Sequence, residues 1–236
     1  MNKDLLNDLY FDKDAALALI QMKKVTIVGY GNQGRAQALN LRDSGVSVIV
    51  GARGGGSSQQ KANEDGFKVI SIEDAVFDAD VIAILLPDQV MATVYNQSIA
   101  PNLSAGNILQ FSHGYNIHYG KIIPPKDVDV MVVAPSGAGK MVRQEFEKGS
   151  GVPNLIAIHQ DYSGAAFDLA LSYSKAIGGT RSAAFKSTFK EETETDLFGE
   201  QVVLTGGIPK LIQNSFKVMV DSGYSPITPW FVSYYE

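Results

Sequence analysis

Two carboxylates near the end of the chain have the spacing of metal ligands on one helix. Asp196 and Glu200 lie four residues apart within the run Glu191–Gln201. On a helix, residues at this spacing project from one face about one turn apart. Paired carboxylates are ligands that hard cations such as Mg²⁺ prefer. Acids at a helix start are also stabilised by the helix dipole, which explains the earlier acids of the run but not Glu200.

A glycine-rich turn indicates a dinucleotide site. The segment Gly29-Tyr30-Gly31-Asn32-Gln33-Gly34 follows the apolar run Val25–Val28 and opens an amphipathic stretch. In this pattern Gly29 permits the tight turn, Gly31 lets the backbone approach a pyrophosphate, and Gly34 lets the helix pack on the strand. The helix N-terminus then offers N–H groups to the phosphates. The alternative is a glycine turn with a purely structural role.

The residues after the second predicted strand favour NADP(H) over NAD(H). NAD-binding folds usually place Asp or Glu at the end of this strand, where it bonds the ribose 2′-hydroxyl. Here the strand ends in Arg53, and Ser57 and Ser58 follow. A guanidinium and two hydroxyls can hold a 2′-phosphate, and no carboxylate repels it. The alternative is that Arg53 is a solvated loop cation.

Another predicted strand leads into a histidine. His113 lies in Phe111–His118, directly after the apolar run Asn107–Gln110. Open α/β sheets bind ligands outside the carboxyl ends of their strands. A histidine there can orient a substrate or relay a proton near neutral pH, although a single histidine is often structural. A second glycine loop, Ala134–Arg143, follows the next strand and contains Gly139.

The elements that position these residues alternate along residues 24–180. Continuous apolar strands separated by helical patterns, such as Gly34–Ser44 and Gln89–Ile99, predict a parallel sheet covered on both faces. Right-handed crossovers then give an α/β fold with a Rossmann-type, doubly wound parallel sheet. The predicted strands are Val25–Val28, Val46–Val50, Val81–Leu85, Asn107–Gln110, Val128–Val133 and Asn154–Ile158.

The pattern changes after about residue 181, where we place a domain boundary. Residues 1–180 are predicted to form the nucleotide-binding domain and residues 181–236 a short all-helical segment. One helix is expected from Glu192 to about Thr205, with a break at Gly206-Gly207. A second is expected to begin with Pro209 in its first turn and to end before Gly223.

Composition excludes several classes of protein. The 236 residues carry a net charge of -5, with no cysteine and 45% hydrophobic residues. The negative net charge does not predict a basic surface for nucleic acid, so a nucleic-acid partner is not expected. The lack of cysteine excludes disulfides and thiolate metal sites. The first six residues contain no signal-peptide hydrophobic region, and the strongest apolar run, Val81–Leu86, is too short to cross a bilayer. These features predict a cytoplasmic protein without a membrane partner.

The motifs together resemble the ketol-acid reductoisomerase family over roughly residues 8–224. The run Thr188–Gln201 is the most specific of the matching segments. The others are Gly29–Gly34, Leu39–Gly45, Leu86-Pro87-Asp88, Phe111–His118, Gly151–Pro153 and His159–Asp161.

The resemblance implies conversion of 2-acetolactate or 2-aceto-2-hydroxybutyrate into dihydroxy acids, in valine and isoleucine biosynthesis. Alkyl migration and reduction by NADPH would depend on Mg²⁺ acting as a Lewis acid. By position, Asp196 and Glu200 become magnesium ligands, and His113 becomes the active-site histidine. Arg53 and Ser58 fall in the family's 2′-phosphate loop. The shorter form of this family shares its metal site between subunits, which implies a homodimer or larger homo-oligomer.

Two departures from the family pattern stand out. Ser136 occupies the position of a lysine that the family normally carries after Ala-Pro. Near the C-terminus, Val232 falls in the first position of a second metal-binding pair, and Glu236 falls in the other. Valine cannot bind a cation, so we expect a C-terminally truncated member with weak magnesium binding on its own. The helices from 192 to 222 are then expected to expose apolar surface and to self-associate.

Two other functions remain open at this stage. One is a different NADP-dependent reductase of the hydroxyacid dehydrogenase kind, which would work without metal. The other is a non-catalytic NADPH-binding or interaction protein, which the residues at Ser136 and Val232 favour.

Overall fold

The computed structural model describes residues 8–236. The chain divides into two compact units, Met1–Glu192 and Thr193–Glu236. The predicted lack of a signal-peptide hydrophobic region concerns residues outside the described range. Within that range, no helix is long and apolar enough to cross a membrane.

The first unit is built on one nine-stranded sheet. Its order is β1-β9-β8-β7-β6-β5-β2-β3-β4, and the pairs joining β4 through β7 are parallel. The strands are β1 (Leu9–Tyr10), β2 (Lys24–Val28), β3 (Ser47–Gly51), β4 (Val69–Ile70), β5 (Val81–Ile84), β6 (Ile108–Phe111), β7 (Asp129–Pro135), β8 (Asn154–Gln160) and β9 (Ala184–Lys186).

Hydrophobic cores lie on both faces of this sheet. Along β5, Val81 and Ala83 contribute to one core, whereas Ile82 and Ile84 contribute to the other. Helices α2 and α8 cover the first face, and α4 and α5 cover the second. The helices of this unit are α1 (Ala18–Gln21), α2 (Asn32–Asp43), α3 (Ser57–Glu64), α4 (Ile72–Phe77), α5 (Asp88–Val94), α6 (Tyr115–His118), α7 (Gly139–Glu147), α8 (Ala166–Ala176) and the start of α9 (Phe189–Phe198).

All six predicted strands are present, but β8 is antiparallel to β7 rather than parallel. The connection between them leaves and returns at the same sheet edge, where the Ser136 amide donates to the Pro153 carbonyl at 2.8 Å. Its helix α7 buries only Gly139 and Val142 of its nine described residues. Such a charged helix cannot cover a sheet face, so it stays at the edge and packs on α2.

The sheet continues beyond residue 181. Strand β9 pairs in parallel with β8 and antiparallel with β1, so residues 184–186 belong to the first unit. The boundary between the two compact units then falls inside α9, at Glu192. The assignment of the nucleotide-binding domain to residues 1–180 stays a prediction.

The second unit is helical, as predicted, but the expected break at Gly206-Gly207 is wrong. A π-helical segment, Gly199–Gly207, joins α9 to α10 (Ile208–Asp221), and α11 (Ile227–Trp230) and a π-helical Phe231–Tyr235 follow. A Cβ atom on Gly206 would lie 2.4 Å from the Gln201 carbonyl oxygen, and one on Gly207 would lie 2.7 Å from that of Val202. These glycines therefore permit the wide turn instead of ending the helix.

Candidate active site

Five loops meet the carboxyl edge of the sheet. Strands β2, β3, β5, β6 and β7 run parallel, so the residues that follow them gather at one edge. The loops begin with residues 29, 52, 85, 112 and 136. Every residue that the sequence predicted to bind cofactor, and His113, lies in one of these loops or in the helix that follows it.

The glycine turn after β2 has the geometry of a dinucleotide-binding loop. Gly29 has φ +100°, and a Cβ atom there would lie 2.5 Å from the Leu85 carbonyl oxygen. A Cβ atom on Gly34 would lie 1.9 Å from the Gly29 carbonyl oxygen. Around Gly31, by contrast, no described atom lies within 4 Å of the added Cβ position. Two glycines are thus required by packing, while Gly31 leaves space open.

The N-terminus of α2 faces that loop. Gly31 is the N-cap of this 12-residue helix, and no side chain within the described range caps it. The neighbouring α7 begins against it, because a Cβ atom on Gly139 would lie 2.1 Å from the Asn32 carbonyl oxygen. Gln33 Nε2 donates to the Gly137 carbonyl at 2.8 Å. Backbone N–H groups and a positive dipole end are therefore available to an anion here.

The side chain of Tyr30 points into the protein instead. Its hydroxyl donates to Asp65 Oδ2 at 2.8 Å, and its ring packs edge to face on Phe67. Burial, and next the hydrogen bond to the Asp65 carboxylate, raise the pKa of Tyr30. Tyr30 thus offers its backbone to the loop, while its side chain anchors the loop to the chain after α3.

The loop after β3 borders a cavity of about 380 Å³. Its lining includes Arg53, Gly54, Gln59, Ser71, Glu73 and Ser98. The Gln59 side chain accepts a hydrogen bond from the Gly55 amide at 2.7 Å, which orders the turn before α3. Arg53 and Ser57 are exposed and Ser58 is half-buried, so their side chains are accessible to an anion.

The loop after β5 joins the glycine turn to α6. The Leu85 amide donates to the Val28 carbonyl at 2.8 Å, which fixes Leu86 and Pro87 beside the turn. Asp88 begins α5, and its Oδ1 accepts from Asn116 Nδ2 at 2.9 Å. The carboxylate of Asp88 therefore organises the chain that follows His113.

His113 is paired with Glu192, a carboxylate that the sequence pattern does not distinguish from its acidic neighbours. Its Nδ1 lies 2.9 Å from Glu192 Oε1, and Glu192 Oε2 accepts from the Gly114 amide at 2.7 Å. The Glu192 side chain is only 4% exposed. A buried carboxylate needs such partners, because an unpaired buried charge is costly. The four-residue spacing that singled out Asp196 and Glu200 also extends back to Glu192, a signal that could have revealed it.

A buried polar network supports the loop that carries His113. Gln37 Nε2 donates to Ser112 Oγ at 2.8 Å, and Tyr173 donates to Gln37 Oε1 at 2.8 Å. Tyr173 is completely buried, which raises the pKa of its hydroxyl. The network fixes Ser112 against α2, the helix that begins at the glycine turn.

The predicted magnesium ligands lie in the helical part of the chain. Asp196 follows Glu192 by one turn on α9, and Glu200 lies just inside the π-helical segment. Both are exposed, as is Glu236 at the last residue. Asp196 and Glu200 thus straddle the change from α to π geometry. Oxygen donors of this kind suit Mg²⁺.

The positions that depart from the family pattern are on the surface. Ser136 directly follows β7 and has an exposed side chain. Val232 lies in the π-helical Phe231–Tyr235 and is 51% exposed. Neither side chain is part of a hydrophobic core in the described residues.

Comparison with known proteins agrees with this arrangement. The family profile for the acetohydroxy acid isomeroreductase NADPH-binding domain matches residues 19–183, and that for the ketol-acid reductoisomerase C-terminal domain matches 189–236. A ketol-acid reductoisomerase (NADP⁺) of Renibacterium salmoninarum is 55% identical over 231 residues, 98% of this chain and 68% of that protein.

Solved structures give the same result. An NADH-preferring ketol-acid reductoisomerase from an uncultured archaeon is 43% identical, with a TM-score of 0.92 over 97% of this chain and 71% of the other. A Mycobacterium tuberculosis 3-hydroxyisobutyrate dehydrogenase, 16% identical with a TM-score of 0.61 over 86% and 67%, shares the fold alone. Since a family profile covers more than half of the chain and a close relative spans nearly all of it, the chain belongs to the ketol-acid reductoisomerase family.

Proposed function

We propose that this chain converts 2-acetolactate or 2-aceto-2-hydroxybutyrate into dihydroxy acids, as a ketol-acid reductoisomerase of valine and isoleucine biosynthesis. The observation that carries the proposal is the pair formed by His113 and buried Glu192 at the sheet edge that also holds the glycine turn. A nucleotide-binding loop alone would serve any reductase. A buried acid–histidine pair beside it supports proton handling on a bound substrate.

NADPH fits the residues that the loops provide. The open space at Gly31 and the α2 N-terminus would hold the pyrophosphate, with the backbone of Tyr30, Asn32, Gln33 and Gly139 around it. After the neighbouring strand β3, Arg53, Ser57 and Ser58 would hold the 2′-phosphate. Leu86, Pro87 and Asp88 would line the path between the two phosphate sites and the substrate.

Mg²⁺ fits the carboxylates of the helical segment. Asp196, Glu200 and Glu236 would serve as its ligands, since all three offer exposed oxygen donors. When bound, NADPH would supply a hydride and Mg²⁺ would polarise the substrate's carbonyl and hydroxyl oxygens.

His113 is proposed as the catalytic residue that this chain contributes from its first unit. Glu192 Oε1 lies at Nδ1, which favours the tautomer protonated there and leaves Nε2 to accept a proton. The bond from the Gly114 amide fixes the Glu192 carboxylate in turn. Glu192 is therefore proposed to orient the imidazole.

Three further predictions accompany this function. We propose a nucleotide-binding domain over residues 1–180 and a catalytic and dimerisation segment over 181–236. We also propose assembly into a homodimer or larger homo-oligomer, and a cytoplasmic location. The oligomer is supported by the large apolar side chains that the second unit exposes, such as Leu211 and Val218.

The test is NADPH oxidation in the presence of 2-acetolactate, with and without Mg²⁺. Weak turnover that depends on Mg²⁺ is expected, because Val232 cannot bind a cation, and the product should be the dihydroxy acid. Turnover of hydroxyacid-type substrates without metal would replace this function by a dehydrogenase of another kind. Binding of NADPH with no turnover, in the chain as an oligomer and with Mg²⁺ present, would point to a non-catalytic role.

A further inference from the structure

Helix α3 has little hydrophobic burial to hold it in place. Of its eight residues, all within the described range, Ala62 alone is buried. A helix of this length is marginal on its own, and burial of one alanine adds little to its stability. Yet α3 begins with Ser57 and Ser58, three glycines after Arg53, and so presents the proposed 2′-phosphate loop. The position of that loop must therefore depend on contacts other than the hydrophobic packing of α3.

Asp65, which ends α3, makes those contacts. Its carboxylate accepts two hydrogen bonds from Arg35, one from Nε at 2.6 Å and one from Nη2 at 2.8 Å. The same carboxylate accepts from the Tyr30 hydroxyl at 2.8 Å, and the Asp65 carbonyl accepts from Arg42 Nη1 at 2.6 Å. The Asp65 side chain is 17% exposed, so these bonds are partly shielded from water. A bidentate arginine–carboxylate interaction of this kind is directional as well as strong.

All three donors belong to the glycine turn or to its helix. Tyr30 lies between Gly29 and Gly31, and Arg35 lies in the first turn of α2, immediately after Gly34. Asp65 therefore links the far end of α3 to the segment that would hold the pyrophosphate. An eight-residue helix is about 12 Å long, so a tilt of roughly 10° at Asp65 would move Ser57 by about 2 Å.

We propose that Asp65 is a positioning residue: it holds α3, and the loop of Arg53 and Ser57, at the distance from the glycine turn that one NADPH molecule requires. This role rests on the proposed function, because it presumes that both loops bind one dinucleotide. A ligand that spans the two loops depends on their separation, whereas a ligand held by one loop does not.

The test compares two ligands on the full chain with Asp65→Asn. The amide would turn a donor toward Arg35 and remove the charge, while its volume is unchanged. The dissociation constant of NADPH is expected to rise about ten-fold. That of adenosine 2′-monophosphate, which reaches the loop of Arg53 alone, is expected to change by less than about two-fold. Both are measured by calorimetry well below the unfolding temperature.

A matched control is available in Asp78→Asn. Asp78 directly follows α4, as Asp65 directly follows α3, and its carboxylate pairs with Lys24 Nζ at 2.6 Å. It touches neither phosphate loop in the contacts of the described residues. Its substitution should leave both dissociation constants unchanged. If Asp65→Asn does not fold, Tyr30→Phe removes a single bond to the same carboxylate and should weaken NADPH in the same direction.

The outcomes separate the positioning role from the proposed function. If the unmodified chain fails to bind NADPH, the proposed function is overturned and the role of Asp65 with it. If the unmodified chain binds NADPH and Asp65→Asn binds it equally well, only the positioning role is overturned. An equal loss for both ligands also overturns it, because that result means damage to the arginine loop itself. Weaker NADPH with unchanged adenosine 2′-monophosphate supports it.

Discussion

At the scale of single residues, the pair of Glu192 and His113 is the part of the site most open to test. Glu192 uses both carboxylate oxygens, one on the imidazole and one on the Gly114 amide. An amide in its place can keep one of these bonds but cannot stabilise a positive imidazolium. Replacing Glu192 by glutamine therefore tests the effect of its negative charge separately from its role in orienting the imidazole ring.

We expect Glu192→Gln to lower kcat by about ten-fold or more, because proton transfer through a positioned group contributes at least that much. The far-ultraviolet circular dichroism should be unchanged. Glu191→Gln is the matched control, since Glu191 is exposed, is adjacent on α9 and bonds Ser187 instead. Equal activity in both variants would remove Glu192 from the proposed machinery.

The three glycines of the turn are expected to respond differently to alanine. Gly31→Ala meets no described atom within 4 Å, so the unfolding temperature should stay the same while the dissociation constant of NADPH rises. Gly34→Ala would place Cβ 1.9 Å from the Gly29 carbonyl oxygen and should destabilise the fold. Thermal unfolding and NADPH titration of the two variants distinguish a binding turn from a structural one. Tight NADPH binding by Gly31→Ala would favour the structural interpretation.

The contribution of Asp65 to stability should depend on pH. Hydrogen bonds from Arg35 hold the pKa of Asp65 below its ordinary value of 3.8, against the opposing effect of burial. A carboxyl whose pKa is lowered on folding stabilises the protein above its unfolded pKa, and this stabilisation is lost as the pH falls through the folded pKa. The difference in unfolding free energy between the unmodified chain and Asp65→Asn should therefore be constant near neutrality and shrink in acid. Urea unfolding at a series of pH values measures it, and a difference that persists in strong acid would contradict it.

At the scale of elements, the widened helical turn between α9 and α10 depends on glycine. Every residue from Gly199 to Gly207 adopts π-helical geometry, which brings carbonyl oxygens close to the backbone five positions later. Gly206 and Gly207 have no room for a side-chain carbon on that inner path. The segment carries Glu200, so its shape also sets the direction of a proposed ligand.

Gly206→Ala is expected to destabilise the helical segment by about 1–3 kcal/mol, because its Cβ would lie 2.4 Å from the Gln201 carbonyl oxygen. Gly199→Ala meets no described atom within 4 Å, so the better helix former should be neutral or stabilising by up to about 1 kcal/mol. Hydrogen exchange of the amides in residues 199–221 reports both effects. Equal protection in the two variants would mean that the wide turn is not required.

At the scale of the whole molecule, the two units differ in the fraction of their large apolar side chains that is exposed. The first unit buries them in cores on both sides of its sheet. The second exposes a long series of them, including Leu211 at 68% and Val218 at 64%. An exposed apolar surface of this kind marks an interface or a site of aggregation.

We expect the chain to self-associate through that surface. Leu211 and Val218 are seven residues apart on α10 and lie on one face. The double substitution Leu211→Glu with Val218→Glu should shift sedimentation toward the monomer at micromolar concentration. Phe77→Glu with Ile123→Glu is the control, because these side chains, 77% and 81% exposed, lie in the first unit. A monomer in all three forms would contradict self-association.

The features that the sequence determined by itself are those with short-range causes. Apolar runs bounded by turn residues located the strands of the parallel sheet, because a strand buried on both faces must be apolar along its length. The glycine turn from Gly29 to Gly34 is also set by short-range causes, since an added Cβ atom on Gly29 or Gly34 would clash with backbone close in sequence or on the neighbouring strand. Pro209 in the first turn of a helix was also correctly placed.

Features that depend on residues far apart in sequence are visible only in the tertiary structure. The direction of β8 follows from where α7 can pack, and the inward turn of Tyr30 follows from Asp65, which is 35 residues away. Glu192 resembles its acidic neighbours in sequence, yet in the described chain it is buried beside His113, whereas Glu191, Glu194, Asp196 and Glu200 are exposed. A local pattern records propensity, whereas the burial of a charge depends on which groups the fold brings to it.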